Sequence, residues 1–205
     1  MQLFHNPASP FCRKVDVLLH EVGKVDAVEP LAAGGHPTAK ADEANMPVSH
    51  NPLGKIPTLL RPDGPALYDS NVICRYLDDR FGAGLYPPHR LWETLTLEAT
   101  ADGIMEAAVL MVYETRSRAE SERSPAWVEA QWDKVTRGLD AIEERWMSHL
   151  HGRLDMGQIA VGCALGYLDF RHPERDWRVP RVSLAAWFEK FSARPSMAAT
   201  SPPTG

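Results

Sequence analysis

Three short segments carry residue types whose spacing could do chemistry. The first is Ser9-Pro10-Phe11-Cys12. It follows a short strand candidate, Gln2 to His5, and opens a helix: a serine oxygen caps free backbone N–H groups, and proline at the first helical position forfeits no hydrogen bond. The Ser9 hydroxyl and the local N–H groups then address the same space. That combination suits an anionic sulfur, because helix dipole and free donors both favour a thiolate. A plain N-cap explains Ser9 equally well. Cys12, one turn inside, is either a reactive thiol near the same helix end or a buried spectator. Serine stands at the other half of any C-x-x-C pair, so an internal disulfide of that type cannot form.

The second segment is Asn51-Pro52-Leu53-Gly54-Lys55-Ile56-Pro57-Thr58. Pro57 lies just before a strand, where a cis peptide would expose the backbone of Ile56. Ile56 would then offer its N–H and C=O to an extended ligand, as a strand edge does. The alternative is a proline in a tight turn. The third segment, Asp69-Ser70, again precedes a helix. Ser70 can cap it and lend an N–H to a carboxylate, while Asp69 adds an acceptor for an ammonium group. Double capping accounts for the pair as well.

The elements that must position these segments follow from punctuation and periodicity. Phe11, Val15, Leu18, Leu19 and Val22 recur at helical spacing, and Gly23 ends that helix. Val25 to Leu31 reads as extended, and residues 32–50 as a loop with one short helix. Ile56–Leu60 and Ala66–Tyr68, separated by Arg61-Pro62-Asp63-Gly64-Pro65, read as a hairpin. Ser70 to Phe81 is a helix. The two glycines and two prolines of Gly82 to Pro88 mark a boundary. Beyond it Leu91 to Arg118 and Pro125 to Leu150 are long helices. The second carries Val128, Trp132, Val135, Leu139, Ile142, Trp146 and Leu150 at steps of three and four. Ile159 to Leu168 has almost no polar face and so should be buried on all sides. It opens on Asp155 and Gln158, a reciprocal N-capping pattern. Leu184 to Ala193 is a last helix, and the tail from Pro195 is expected to lie on the surface and fray after Ala199.

Composition narrows the function classes. The 205 residues are 44% hydrophobic and 24% charged, with a formal net charge of −5. Acids and bases are interspersed, without the basic stripe a nucleic-acid binder needs. No run approaches the roughly 18 apolar residues of a membrane span, and the first residues do not read as a signal peptide. Three widely spaced cysteines, Cys12, Cys74 and Cys163, argue against a disulfide framework and fit a reducing cytoplasm. His149-x-His151 has no cysteine or carboxylate cluster beside it, so no metal site is expected.

Ser9 to Lys14, Asn51 to Pro57, Asp69-Ser70-Asn71-Val72-Ile73 and the cap from Asp155 to Gln158 together resemble the cytosolic glutathione transferase superfamily, over almost the whole chain. The flavour is that of bacterial members with an active-site serine. The resemblance implies a thioredoxin-like α/β domain with a mixed four-stranded sheet at 1–81, a linker at 82–90 and an all-α domain at 91–205. It implies glutathione as co-substrate and a small electrophile as its partner in reaction, in a cytoplasmic homodimer. Ser9 would hydrogen-bond the glutathione sulfur, and Ile56 would pair with the cysteinyl backbone through a cis-Pro57 turn. Asp69 and Ser70 would hold the γ-glutamyl end, and Lys40, His36 or Lys55 the glycyl carboxylate. Phe11, Met105, Val109, Tyr113 and Arg116 would line the electrophile pocket. The buried-helix cap, usually Ser or Thr and then Asp, here reads Asp155 and Gln158.

Two other readings stay open on the residues alone: thiol transfer, reduction or peroxidase chemistry through Cys12, and a scaffold that binds glutathione without turnover.

Overall fold

The computed structural model describes residues 1–34 and 45–203. An N-terminal unit of mixed sheet and helices precedes an all-helical unit. Strand β1 (Gln2–His5) runs into helix α1 (Pro10–Glu21), then β2 (Glu29–Ala32), β3 (Thr58–Leu60) and α2 (Ser70–Phe81). The sheet order is β2-β1-β3, with β1 parallel to β2 and antiparallel to β3. Leu3, in mid-sheet, faces Pro30 on one side and Leu59 on the other. Pro30 lacks an N–H, which an edge strand tolerates.

Two expectations are corrected here. The fourth strand, Ala66 to Tyr68, is reduced among the described residues to a single bridge between Leu59 and Leu67. Arg61 closes the preceding turn on the Pro65 carbonyl at 3.0 Å, and the chain already caps α2 at Asp69, so little length is left for pairing. Val25 to Ala27 forms a 3₁₀ turn, and extended structure starts only at Glu29.

The helical unit comprises α3 (Leu91–Ser117), α4 (Pro125–Arg145), α5 (Met147–Leu150), α6 (Met156–Arg171), α7 (Val182–Ser192) and α8 (Pro195–Ala199). The expected helix from Pro125 to Leu150 breaks at Trp146, whose ring packs edge-on against His149. Helix α6 is buried along nearly its whole length, as its sequence requires, and packs between α1, α3 and α7. Its cap departs from the expected reciprocity. Asp155 Oδ1 accepts the Gln158 N–H, but the Gln158 amide turns to the carbonyls of His149 and Arg153. An amide N–H₂ has two donors to place, and these carbonyls lie within its reach. Asp155 Oδ2 is gripped instead by Thr94 and His149, with Arg90 3.3 Å away.

The tail does not lie loosely on the surface. Ser196 and Met197 are buried, and α8 packs on α1. Arg13 Nη2 donates to the Met197 carbonyl, and Glu21 takes Arg194 and Ser196. The end of the Arg13 side chain in turn occupies the space where a side chain at position 166 would begin, space that Gly166 leaves open.

Candidate active site

Ser9 stands at the junction of β1 and α1. The turn before it is held by two bonds to Asn6: the Ala8 N–H to its side-chain oxygen and the Ser9 N–H to its carbonyl, each 2.9 Å. The extended backbone of Ser9 lets its Oγ accept the Cys12 N–H at 3.3 Å, the expected cap. Among the described residues no oxygen or nitrogen accepts the Ser9 hydroxyl proton, and its near side-chain neighbour is the Cys12 thiol, a weak acceptor that a thiolate ligand would outcompete. Ser9 lines a shallow surface concavity with Pro7, Arg13, Tyr167 and Pro202, so the chain end and α6 share it. A larger hollow of about 220 Å³ on another side of α1 contains none of the expected site residues.

Cys12 is turned into the core. It is fully buried, and burial pushes its thiol up to about 12. Position near a helix start does not rescue it, because desolvation of the thiolate outweighs the donors nearby. The same holds in direction for Cys74 and Cys163, both buried.

Strand register brings the second segment to the same end of the sheet. Phe4 pairs with Thr58, so the chain just before Thr58 lies beside the exit of β1 that leads to Ser9. The Ile56–Pro57 bond is cis. Asn51, almost wholly buried, shapes this turn from within. Its amide donates to the Lys55 carbonyl and to Thr58 Oγ1, and its oxygen accepts the Leu53 N–H. Among the described residues the N–H and C=O of Ile56 have no partner. The Lys55 side chain is exposed, while Lys40 and His36 lie outside the described residues.

At the third segment the roles are reversed from those expected. Asp69, not Ser70, caps α2, accepting the N–H groups of Asn71 and Val72 on Oδ1. Ser70 sits at the first helical position and is buried, its Oγ 3.4 Å from Lys14 Nζ. Lys14 was not anticipated. It is fully buried beneath the start of α2 and reaches Asn71, Glu98 and Asp102 as well, while Tyr86 donates to Glu98. Burial works against its charge, but Glu98 and Asp102 outweigh that and hold the ammonium above the ordinary lysine range. Burial pushes the Glu98 carboxyl up, with Lys14 opposing. The signal available in sequence was that Lys14 falls on the same helical face as Phe11 and Leu18.

The expected electrophile pocket divides. Met105 is completely buried in the core, since its face of α3 packs inward, and it cannot line a pocket. Phe11 and Val109 are half-buried against that core, whereas Tyr113 and Arg116 are exposed. Tyr113 and Arg116 interact electrostatically with Tyr167 of α6, and Arg116 also with Arg171. Tyr167 and Arg171 were not anticipated, because only the packing of α6 on α3 brings them there. Among the described residues no group of three or more His, Cys, Asp or Glu side chains could hold a metal ion, and no helix is long and apolar enough to cross a membrane.

Comparison with known proteins agrees with this fold. The glutathione S-transferase N-terminal domain family matches residues 8–80 and the corresponding C-terminal domain family residues 125–190. An uncharacterised GST-like protein of Escherichia coli K12, YibF, is 33% identical over 99% of both chains. A glutathione transferase family member from Pseudomonas fluorescens Pf-5, solved with bound glutathione, is 47% identical over 99% of both chains, with a TM-score of 0.93. A second structure from that organism, holding S-(propanoic acid)-glutathione, is 46% identical over the full length of both chains, with a TM-score of 0.90.

Proposed function

Since the chain belongs to the glutathione S-transferase family, we propose that it binds glutathione with residues 1–81 and ionises the thiol through a hydrogen bond from Ser9. The thiolate then attacks a small electrophile at the junction with the helical unit, residues 91–205. The observation that carries this reading is the position of the Ser9 hydroxyl, with no oxygen or nitrogen acceptor, at the start of α1, where the helix dipole adds to the same field. An unperturbed thiol ionises near pH 8.5, so a bound value of about 7 or below makes the thiolate abundant at neutral pH. Its proton leaves to solvent. The sulfur lone pair forms a C–S bond as a leaving group departs from carbon with the bonding electrons. With an activated alkene, the neighbouring carbon takes up a proton instead.

The unpaired Ile56 backbone supports antiparallel pairing with the cysteinyl residue of glutathione. The Ser70 N–H at the start of α2 suits the γ-glutamyl carboxylate, and Asp69 its ammonium. Lys55 and Lys40 are assigned to the glycyl carboxylate. The relative that holds a sulfur-substituted glutathione supports room beside the sulfur for a product-like group. Burial of Cys12 speaks against thiol-transfer through that residue. Three free buried thiols favour a cytoplasmic setting. A homodimer is in keeping with the family, and exposed Leu53, Val72 and Trp92 offer apolar surface to a second copy.

Calorimetric titration with glutathione, followed by chloride release from a chloronitroarene, tests the proposal. Saturable binding with glutathione-dependent chloride release is expected. Binding without release from any of a panel of electrophiles would leave a scaffold, and no binding would refute the reading.

A further inference from the structure

The hollow of about 220 Å³ lies between α1, the β2 edge of the sheet and the chain end. Its floor is Leu3, Leu19 and Val28, all buried. An apolar cavity of about 150 Å³ suffices for benzene, so this one has room for a phenyl ring and a short chain. Pro7 stands between the hollow and the Ser9 concavity, and Ser9 itself lines only the concavity.

The rim of the hollow is rich in acceptors and poor in donors. Asp16 Oδ2 takes His5 Nε2 at 2.7 Å, and among the described residues Asp16 Oδ1 has no partner. A carboxylate only accepts, so the imidazole proton sits on Nε2, and Nδ1 of the neutral ring is left as an acceptor. The hydroxyl protons of the rim are spent on the chain's own carbonyls: Thr200 donates to Ser196, and Ser201 to Met197. Pro7 and Pro30 bring no N–H. Among the described rim side chains only His20, one turn beyond Asp16 on the same face of α1, keeps a donor to offer. Among the described residues no lysine or arginine lines the hollow. Arg13 stands behind Thr200, to which it donates, and lines the Ser9 concavity instead.

We propose that this hollow is a second binding site, for a small primary amine with an apolar body. The ammonium bonds Asp16 Oδ1 among the remaining acceptors of the rim, and the apolar part lies over Leu3, Leu19 and Val28. An alkylammonium supplies three donors and no acceptor, the complement of this rim. The site stands apart from the glutathione reading, since none of the residues assigned to glutathione lines it.

The probes are 2-phenylethylamine, 2-phenylethanol and 3-phenylpropionate, alike in shape and different in charge. Each is titrated into the full chain at about pH 8, where alkylammonium ions are charged and ordinary imidazoles are not. Amide chemical shifts follow binding, with and without saturating S-benzylglutathione. The amine should bind about tenfold tighter than the alcohol, the size of one charge-assisted bond. The carboxylate should bind weakest, and the shifts should centre on Leu19, His20 and Thr200. Asp16→Asn should bring the amine-to-alcohol ratio towards one. Ala199→Phe, at an exposed lining position, should block all three probes. Circular dichroism checks that each variant is folded. An amine bound no tighter than the alcohol, or a preference kept in Asp16→Asn, would overturn the amine assignment. Absence of saturable shifts around the hollow, their survival in Ala199→Phe, or their loss on adding S-benzylglutathione would overturn the site.

Discussion

Lys14 Nζ lies 2.8 Å from Asp102 Oδ1, and this pair ties the first helix of the sheet-containing unit to the long α3 of the helical unit. Both the sulfur end and the γ-glutamyl end of the proposed site hang on that tie. Lys14 is one turn beyond the Ser9 cap, and its ammonium also touches Ser70. Removing it would strand two acidic groups, one of them fully buried. Lys14→Met should therefore destabilise the fold by about 3–5 kcal/mol, the range for breaking a buried pair from one side. Urea denaturation measures it, and a loss under about 1 kcal/mol would mean the network is solvated.

Asp155 should behave in the same way at the first turn of α3. An exposed N-cap is worth about 1 kcal/mol. Here the carboxylate is wholly buried and also binds Thr94 and His149 beside Arg90, so Asp155→Ala should cost about 3 kcal/mol. A Thr94→Ala change in the same background should then add little, since the partner is already gone.

Acid should release the tail before it unfolds the rest. The Arg194 guanidinium and, with it, the Ser196 hydroxyl hold the Glu21 carboxyl below its ordinary value of 4.5. Between that ordinary value and the lower folded one, the unfolded chain binds more protons than the native one. The contribution of Glu21 is thus full above pH 4.5 and is lost as pH falls through the folded pKa. Hydrogen exchange of α8 amides measured down this range should show early loss of protection. In Glu21→Gln that pH dependence should disappear.

Cys12 should be inert. With its pKa raised to about 12 by burial, it should resist alkylation at pH 8 in the native protein and react on unfolding. Cys12→Ser should keep glutathione-dependent turnover within about twofold, because the Ser9 cap needs only the backbone N–H of that residue. Rapid native labelling at Cys12, traced by peptide mass, would contradict the burial and revive thiol-transfer chemistry.

What could be read from sequence was local. Ser9-Pro10, the Pro57 turn and the punctuation around α2 each announce themselves within a few residues, because caps and prolines act on their own backbone. The long helices were legible from periodicity, although the break at Trp146 left no mark in it. Interactions that join distant segments were not legible. Lys14 meets Ser70 across 56 positions and Arg13 meets Met197 across 184, and nothing in local patterning distinguishes such cations from surface ones. Tyr167 and Arg171 were missed for the same reason: α6 reads as pure core until α3 is laid against it. Asp69 and Ser70 were both recognised as helix-start residues, but which of them caps depends on backbone angles the sequence leaves open.

The central claim is that Ser9 makes bound glutathione acidic. The direct measurement follows the ultraviolet thiolate absorbance of bound glutathione across pH, in the unaltered protein and in Ser9→Ala. The account predicts a thiolate band at neutral pH, and an apparent pKa that returns towards the free value of about 8.5 in Ser9→Ala while glutathione still binds. An identical bound-thiol pKa in the two proteins would contradict it, and the source of activation would have to be sought elsewhere at the start of α1.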